Sequence, residues 1–291
     1  MSTVMTGARW RVAFQGEHGA FSEEAVRRHF GADADPEPLY SCDDVVRAVA
    51  RGSVPCGLLP VENSLAGSVV ATYDALLDAP GVYVTGETLL PIHHCVVAPA
   101  GARLGELALV ESHPVALAQC RRWLAAHPAV EARVAYDTAG AARDVAALGD
   151  RTRAAIAGRG AAERFGLTVL AENIEDRPDN VTRFYAIARE ASLPGVGTPA
   201  KTALIATTPN VPGALYHLLG PIAAAGLDLT KLESRPAGEP WRYHFILELA
   251  HVMDHELLAT LLGALGAAAE SLRVLGTFAA GVAPGLTEVV S

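Results

Sequence analysis

One unit recurs along residues 10–165 and constrains the fold more than any other feature: a short apolar run, a polar or glycine turn, then a stretch with helical spacing. The first copy has a strand at 10–15, the loop Gly16, Glu17, His18, Gly19, and a helix over 20–30 with Phe21, Ala25, Val26 and Phe30 on one side. The second runs from a strand at 56–61 through Glu62, Asn63 and Ser64 to a helix at 69–77. The third runs from a strand at 107–110 through Glu111, Ser112, His113 and Pro114 to a helix at 115–126, with Pro114 suited to the first helical turn. Tyr136, Asp137 and Thr138 lead into a helix at 141–148, and a strand at 154–157 precedes a helix at 160–165. Such repetition predicts an α/β fold with mostly parallel sheets, whose sites lie beyond the carboxyl ends of the strands.

Those ends carry Asn63, Ser64, Ser112, His113, Thr138 and Thr182, many small donors and few fixed charges. Donors at several helix N-termini, converging on one cleft, suit a small anion such as a carboxylate. Each of them also reads as a simple helix cap. The first glycine loop is not G-x-G-x-x-G and has no P-loop lysine, so it gives no nucleotide signature. The run Asn180, Val181, Thr182, Arg183, Phe184 brings a hydroxyl and a guanidinium to the lip of a buried strand. It reads either as a hydroxyl aimed into a cleft or as a polar turn before a core strand.

Glycine and proline at 190–200 break the periodicity and mark a linker. Beyond it come a strand at 201–207, a helix at 212–225 with Leu215, Leu218, Leu219 and Ile222 on one face, and strands at 227–235 and 241–249 joined by a turn at 236–240. A helix capped by Asp254, with Leu257, Leu258, Leu261, Leu262 and Leu265 inward, and a strand at 272–278 complete the order βαββαβ, a ferredoxin-like split βαβ. From Gly281 the tail reads as frayed.

With 291 residues, 51% hydrophobic and 19% charged, the chain has enough apolar surface for one large or two moderate domains and is not a disordered sequence. A net charge of -9 argues against partners such as nucleic acid or an anionic membrane, and no helix-turn-helix segment is evident. No apolar run approaches the ~20 residues that span a bilayer, and residues 1–10 lack a signal-peptide core. Cys42, Cys56, Cys95 and Cys120 form no C-x-x-C pair and suit reduced, buried thiols in the cytoplasm.

The motifs Gly16–Ser22, Leu59–Ser64, Ser112–Cys120 and Asp179–Phe184, in this order, resemble the prephenate dehydratases of phenylalanine biosynthesis. The C-terminal segments Asn210–Leu215 and Glu233–Pro236 resemble the phenylalanine-binding segments of ACT domains. The resemblance covers about residues 11–278 and implies a catalytic region (10–189) of two α/β lobes, like type II periplasmic binding proteins. The lobes are expected at about 10–90 with 170–189 and about 91–169, followed by a linker at 190–200 and an ACT domain at 201–280. It implies decarboxylative dehydration of prephenate to phenylpyruvate, with no redox cofactor or metal. By the same carry-over Thr182 is the catalytic donor, and Glu62, Asn63, Ser64, Ser112, Gln119, Thr138, Arg183 and Phe184 are substrate-site residues. Arg183 is set either to neutralise a substrate carboxylate or to hold the loop, Phe184 to wall the pocket or to pack in the core, and His113 to hold a turn that presents Ser112.

Three positions depart from the family pattern: Ala20 stands for its usual threonine, Val115 for a glutamine and Asp137 for a serine. Ala20 and Asp137 look more like arogenate dehydratases, and Asp137 beside the substrate would favour the ammonium of arogenate. The ACT resemblance implies L-phenylalanine as an allosteric effector held by Asn210, Val211, Gly213, Ala214, Leu215, Glu233, Ser234 and Arg235, and a homodimer or homotetramer. No chorismate mutase segment is expected before Trp10. A non-catalytic amino-acid sensor is the competing class.

Overall fold

The computed structural model describes residues 10–238 and 240–282. The leader reading over residues 1–9, residue 239 of the expected turn and most of the expected tail lie outside them. The chain opens with β1 (Trp10–Gln15), α1 (Phe21–Phe30), β2 (Ala34–Leu39), α2 (Cys42–Ala50), β3 (Cys56–Asn63), the short β4 (Gly67–Ser68), α3 (Val70–Leu77) and β5 (Tyr83–Pro91). A second unit follows: β6 (Cys95–Ala98), β7 (Leu109–Ser112), α4 (Pro114–Gln119), α5 (Arg121–Ala126), β8 (Glu131–Val134), α6 (Thr138–Leu148), β9 (Arg153–Ala157), α7 (Arg159–Phe165) and β10 (Thr168–Ala171). The chain then returns to the first sheet as β11 (Val181–Ala188).

The sheets are mixed rather than mostly parallel. The first has the order β2-β1-β3-β11-β5 with β4 on β3. Its β1, β2 and β3 are parallel, but β11 runs antiparallel to both β3 and β5. The second sheet, β10-β6-β9-β7-β8, joins parallel β7, β8 and β9 to antiparallel β6 and β10. The physical reason is the double crossing between lobes. A strand that leaves one sheet and a strand that comes back to it enter from opposite directions. β10 belongs to the second sheet, so the return to the first lies beyond residue 171.

Local chemistry explains the helix ends. Ser41 caps α2 by accepting from the Asp44 amide at 3.1 Å, and Val45, Val46 and Val49 enter the core. Asp137 caps α6 through the Gly140 amide at 2.8 Å, and left-handed Gly149 ends it. The helix expected over 115–126 is two helices broken at Cys120. There the Asp176 carboxylate accepts the amides of Arg121 and Arg122 at 3.1 and 2.8 Å, capping α5 from a distant segment. Gly19, at φ +85°, allows the two lobes to touch: a Cβ there would stand 2.8 Å from the Ala161 backbone.

The C-terminal unit is β12 (Pro199–Thr207), α8 (Ala214–Ala224), β13 (Asp228–Pro236), β14 (Tyr243–Val252), α9 (His255–Ala268) and β15 (Ser271–Ala279), in the sheet order β13-β14-β12-β15. Asp254 caps α9 by accepting from the amides of Glu256 and Leu257. Leu258, Leu261 and Leu265 are buried, whereas Leu257, expected inward, is exposed. One face of this sheet packs on its helices through Leu204, Leu218, Ile222, Leu247 and Leu261. The other joins the first lobe: Ile205, Ile246, Leu275 and Phe278 share a core with Tyr73, Leu76, Val84 and Tyr185. The 190–200 segment thus connects two units that are fused by a common apolar core rather than hung on a tether.

Candidate active site

Side chains alternate across a strand, and β11 shows what this does to the motif around Thr182. Phe184 and Ala186 enter the core beneath α1, with Phe14 and Val26. Tyr185 and Ile187 enter the opposite core, shared with the C-terminal unit. Thr182 and Arg183 therefore leave the strand on opposite faces. β3 repeats the division, since Asn63 pairs with Thr182 and Glu62 with Arg183.

On the Thr182 face the polar groups form one oriented chain. Backbone amides of Leu65 and Ala66 donate to Asn63 Oδ1 at 3.0 and 2.9 Å. Asn63 Nδ2 then donates to Asn180 Oδ1 at 2.7 Å and to Thr182 Oγ1 at 3.0 Å. Asn180, 1% exposed, donates through Nδ2 to Gln119 Oε1 at 3.0 Å, and His94 Nε2 meets the same oxygen at 3.0 Å. Because Thr182 Oγ1 accepts from an amide, its own proton is left to donate elsewhere. The chain joins both lobes, since Gln119 ends α4 and its carbonyl oxygen accepts the Asp176 amide at 2.6 Å. Beside it opens a pocket of about 420 Å³ lined by Leu65, Ala66, Val115, Ala118, Gln119, Asp176 and Arg177. Arg177 is its cation, paired with Asp179 at 2.9 and 2.5 Å on the surface.

On the other face Arg183 is consumed by carboxylates. Its guanidinium donates to Glu248 at 2.5 and 2.7 Å, to Glu87 at 2.9 Å and to Glu62 at 2.9 Å. Tyr185 also donates to Glu248, and Lys201 to Glu87 at 2.7 Å. Burial alone would raise the Glu248 pKa, but the hydrogen bonds and charge of Arg183 outweigh it and hold the carboxyl below its usual value. Burial likewise opposes the Arg183 cation, and Glu248 overcomes it, so the guanidinium stays charged. Arg183 and Glu62, expected at the substrate, instead tie the first lobe to the C-terminal unit.

Other expected site residues take structural places. Ser112 is fully buried and donates to the Ile156 carbonyl at 2.5 Å, so the turn does not present it to the cleft. His113 Nδ1 accepts from the Val115 amide at 3.3 Å, capping α4. Ser64 donates to the Asp179 carbonyl at 2.8 Å and accepts from the Val181 amide at 3.0 Å, stitching its turn to β11. Phe184 is a core side chain, 1% exposed. Thr138 opens α6, and Asp137 lines a separate pocket of about 390 Å³ with Gln15, Glu17, Tyr40 and Tyr136. Neither His94 nor Arg177 lies in a motif that marks it as a site residue, and Asn180 has no role of its own in the motif around Thr182. For Asn180 the available signal was its place two residues before Thr182.

In the C-terminal unit, Asn210, Val211, Gly213, Ala214 and Leu215 line a pocket of about 270 Å³ with Trp241, Tyr243 and Phe245. Glu233 and Arg235 do not line it. Glu233 accepts from Ser68 at 2.5 Å and pairs with Lys231 at 3.3 Å, while Arg235 meets Asp74 at 3.1 Å. Both side chains leave β13 toward the first lobe, and Ser234, between them, is exposed. All four cysteines are free and buried, and burial pushes the Cys56 and Cys120 thiols up to about 12, which suppresses thiolate reactivity. Among the described residues no group of three or more His, Cys, Asp or Glu side chains is placed to hold a metal ion, and no helix is long and apolar enough to cross a membrane.

A split two-lobed α/β region with an amide-oriented threonine at the lobe junction, followed by a βαββαβ unit, defines the class of protein to which the chain must be compared. The family model described as prephenate dehydratase matches residues 12–192, and the chain belongs to that family of enzymes. It is 39% identical over 270 residues to a bifunctional chorismate mutase/prephenate dehydratase of Stutzerimonas stutzeri, covering 92% of this chain and 73% of that one. It is 38% identical to arogenate dehydratase 2 of Petunia hybrida, covering 94% and 72%. Among solved structures it is similar to the prephenate dehydratase of Arthrobacter aurescens in complex with L-Phe, with 32% identity, a TM-score of 0.85, and 93% and 90% of the two chains covered.

Proposed function

We propose that the chain catalyses the decarboxylative dehydration of prephenate to phenylpyruvate, with Thr182 as the donor to the departing hydroxyl. The carrying observation is the 3.0 Å hydrogen bond from Asn63 Nδ2 to Thr182 Oγ1, which leaves the hydroxyl proton directed away from the amide. In the reaction, the bond from ring to carboxylate breaks and releases carbon dioxide. Its electron pair enters the ring, and the carbon–oxygen bond to the ring hydroxyl breaks. The departing oxygen takes a proton, through Thr182 from solvent, and leaves as water. Aromatisation supplies driving force, so a neutral, preorganised donor suffices where a stronger acid would otherwise be needed. Gln119 and Arg177 line the pocket in which the anionic groups are held. Glu62, Ser112, Arg183 and Phe184 act by support rather than by touching substrate.

Prephenate is preferred to arogenate in this reading because the Asp137 carboxylate already caps α6 and lies in a pocket other than the one beside Gln119. The pocket lined by Asn210–Leu215 is the proposed seat of an amino-acid effector such as L-phenylalanine in an ACT domain. The exposed face of β13 at Ser234 would be completed by a second copy of the chain. The test is product formation by purified protein from prephenate and arogenate side by side, repeated with Thr182→Ala. The variant is expected to lose about 10²–10³ in kcat while still binding substrate. Faster phenylalanine formation from arogenate reverses the substrate preference. No product from either substrate returns the sensor reading.

A further inference from the structure

We propose that His94 is a positioning residue for this reaction, acting as a neutral Nε2–H imidazole that holds Gln119 across the junction between the lobes. The proposal rests on the reading of Thr182 and Gln119 as parts of the reaction site.

The tautomer follows from the direction of the hydrogen-bond chain. Backbone amides can only donate, so Asn63 must present Oδ1 to Leu65 and Ala66 and Nδ2 to Asn180 and Thr182. Asn180 must then present Nδ2 to Gln119, whose partner atom is Oε1. An oxygen that accepts from Asn180 can only accept from His94 as well, so His94 Nε2 carries a proton. Fixing Oε1 with two donors turns the Gln119 NH2 group away from the chain. Among the described residues that nitrogen has no protein partner, and Gln119 lines the pocket.

His94 is built into the crossing between lobes. Its amide donates to Glu175 at 2.9 Å and its carbonyl accepts the Ile174 amide at 3.0 Å, so the two crossing segments are paired at this residue. His94 is 2% exposed, and its ring meets Phe21 of α1 edge-on. Among the described residues Nδ1 is buried with no partner. A second proton there would have no acceptor, which keeps the ring neutral although Glu175 and His93 are its charged and titratable neighbours. Burial is the main cause that holds its pKa below the ordinary histidine value. A neutral donor here orients Gln119 without an imidazolium charge to desolvate in the buried junction between the lobes.

The test uses the full chain in two arms. In 15N-histidine-labelled protein, the resonance lost in His94→Gln is expected to be an Nε2–H tautomer that stays neutral as pH falls through the ordinary histidine range. An Nδ1–H tautomer or an imidazolium overturns the proposal. This arm reads the residue even if neither prephenate nor arogenate is turned over, an outcome that would sink the reaction reading alone. In the kinetic arm, His94→Leu is expected to lose about ten- to a hundredfold in kcat/KM for prephenate. His94→Gln, which can donate from the same place, should recover most of it. Equal loss in both variants, or none in either, overturns the proposal, and if His94→Leu does not fold the NMR arm and the glutamine variant decide it.

Discussion

Removing the Glu248 carboxylate should be among the most damaging single changes in the chain, and the structure sets the scale. Glu248 and Glu87 have no exposed side-chain surface, and Arg183 has 11%. Deleting one partner of a buried ion pair leaves an uncompensated charge and typically costs about 3–5 kcal/mol. Arg183 retains Glu87 and Glu62 in Glu248→Ala, which lowers the cost, but Tyr185 loses the acceptor of its hydroxyl, which adds about 1 kcal/mol. A net loss of about 3–4 kcal/mol is expected. The decisive measurement is a double-mutant cycle in urea using Glu248→Leu and Arg183→Met, with intrinsic fluorescence and circular dichroism as separate probes. If the pair is tightly coupled, the double variant is less destabilised than the sum of the singles by at least about 2 kcal/mol. Additivity within about 0.5 kcal/mol would refute the view that this cluster fastens the C-terminal unit to the strand of Thr182.

Stability should also fall as pH drops from about 7 to 5.5, because burial holds the pKa of both His94 and His29 below the ordinary value of 6.5. The unfolded chain then binds protons the native one does not, so each histidine contributes up to about 1.4 kcal/mol per pH unit until its folded pKa is reached. Urea titrations at several pH values, with His94→Gln showing a shallower dependence, check this. Arg177→Gln should raise KM for prephenate by about tenfold with a smaller change in kcat and little change in Tm, since its pair with Asp179 is exposed and screened by solvent. Steady-state kinetics together with a thermal melt separate the two effects.

The period-2 rule was enough to say that Thr182 and Arg183 cannot both face one cleft, yet reading them as one motif assigned both to substrate. The split of β11 between two cores favours the structural role of the two open to Arg183, and it needs the C-terminal unit to be seen on the far side. Ser112 was expected at the cleft because it ends a strand, but the neighbouring strand β9 offers the Ile156 carbonyl, a partner 44 residues away that no local pattern shows. The break at Cys120 has the same origin. Residues 115–126 carry no breaker, and the helix is interrupted because Asp176 arrives to cap a new one.

Local chemistry alone determined most of the strand–turn–helix units, the βαββαβ order of the C-terminal unit, the cap at Asp254, and the pairing of small donors with strand ends. Those properties depend on side-chain spacing and on hydrogen bonds spanning a few residues. The tertiary structure decided which donors share a face and which charges are consumed. It brought Asn63, Gln119, Asn180 and His94 into one oriented chain and sent Glu62, Arg183, Glu233 and Arg235 to the domain junction. Hydrogen-bond direction and burial are properties of neighbours in space, and the neighbours here come from four separate stretches of chain.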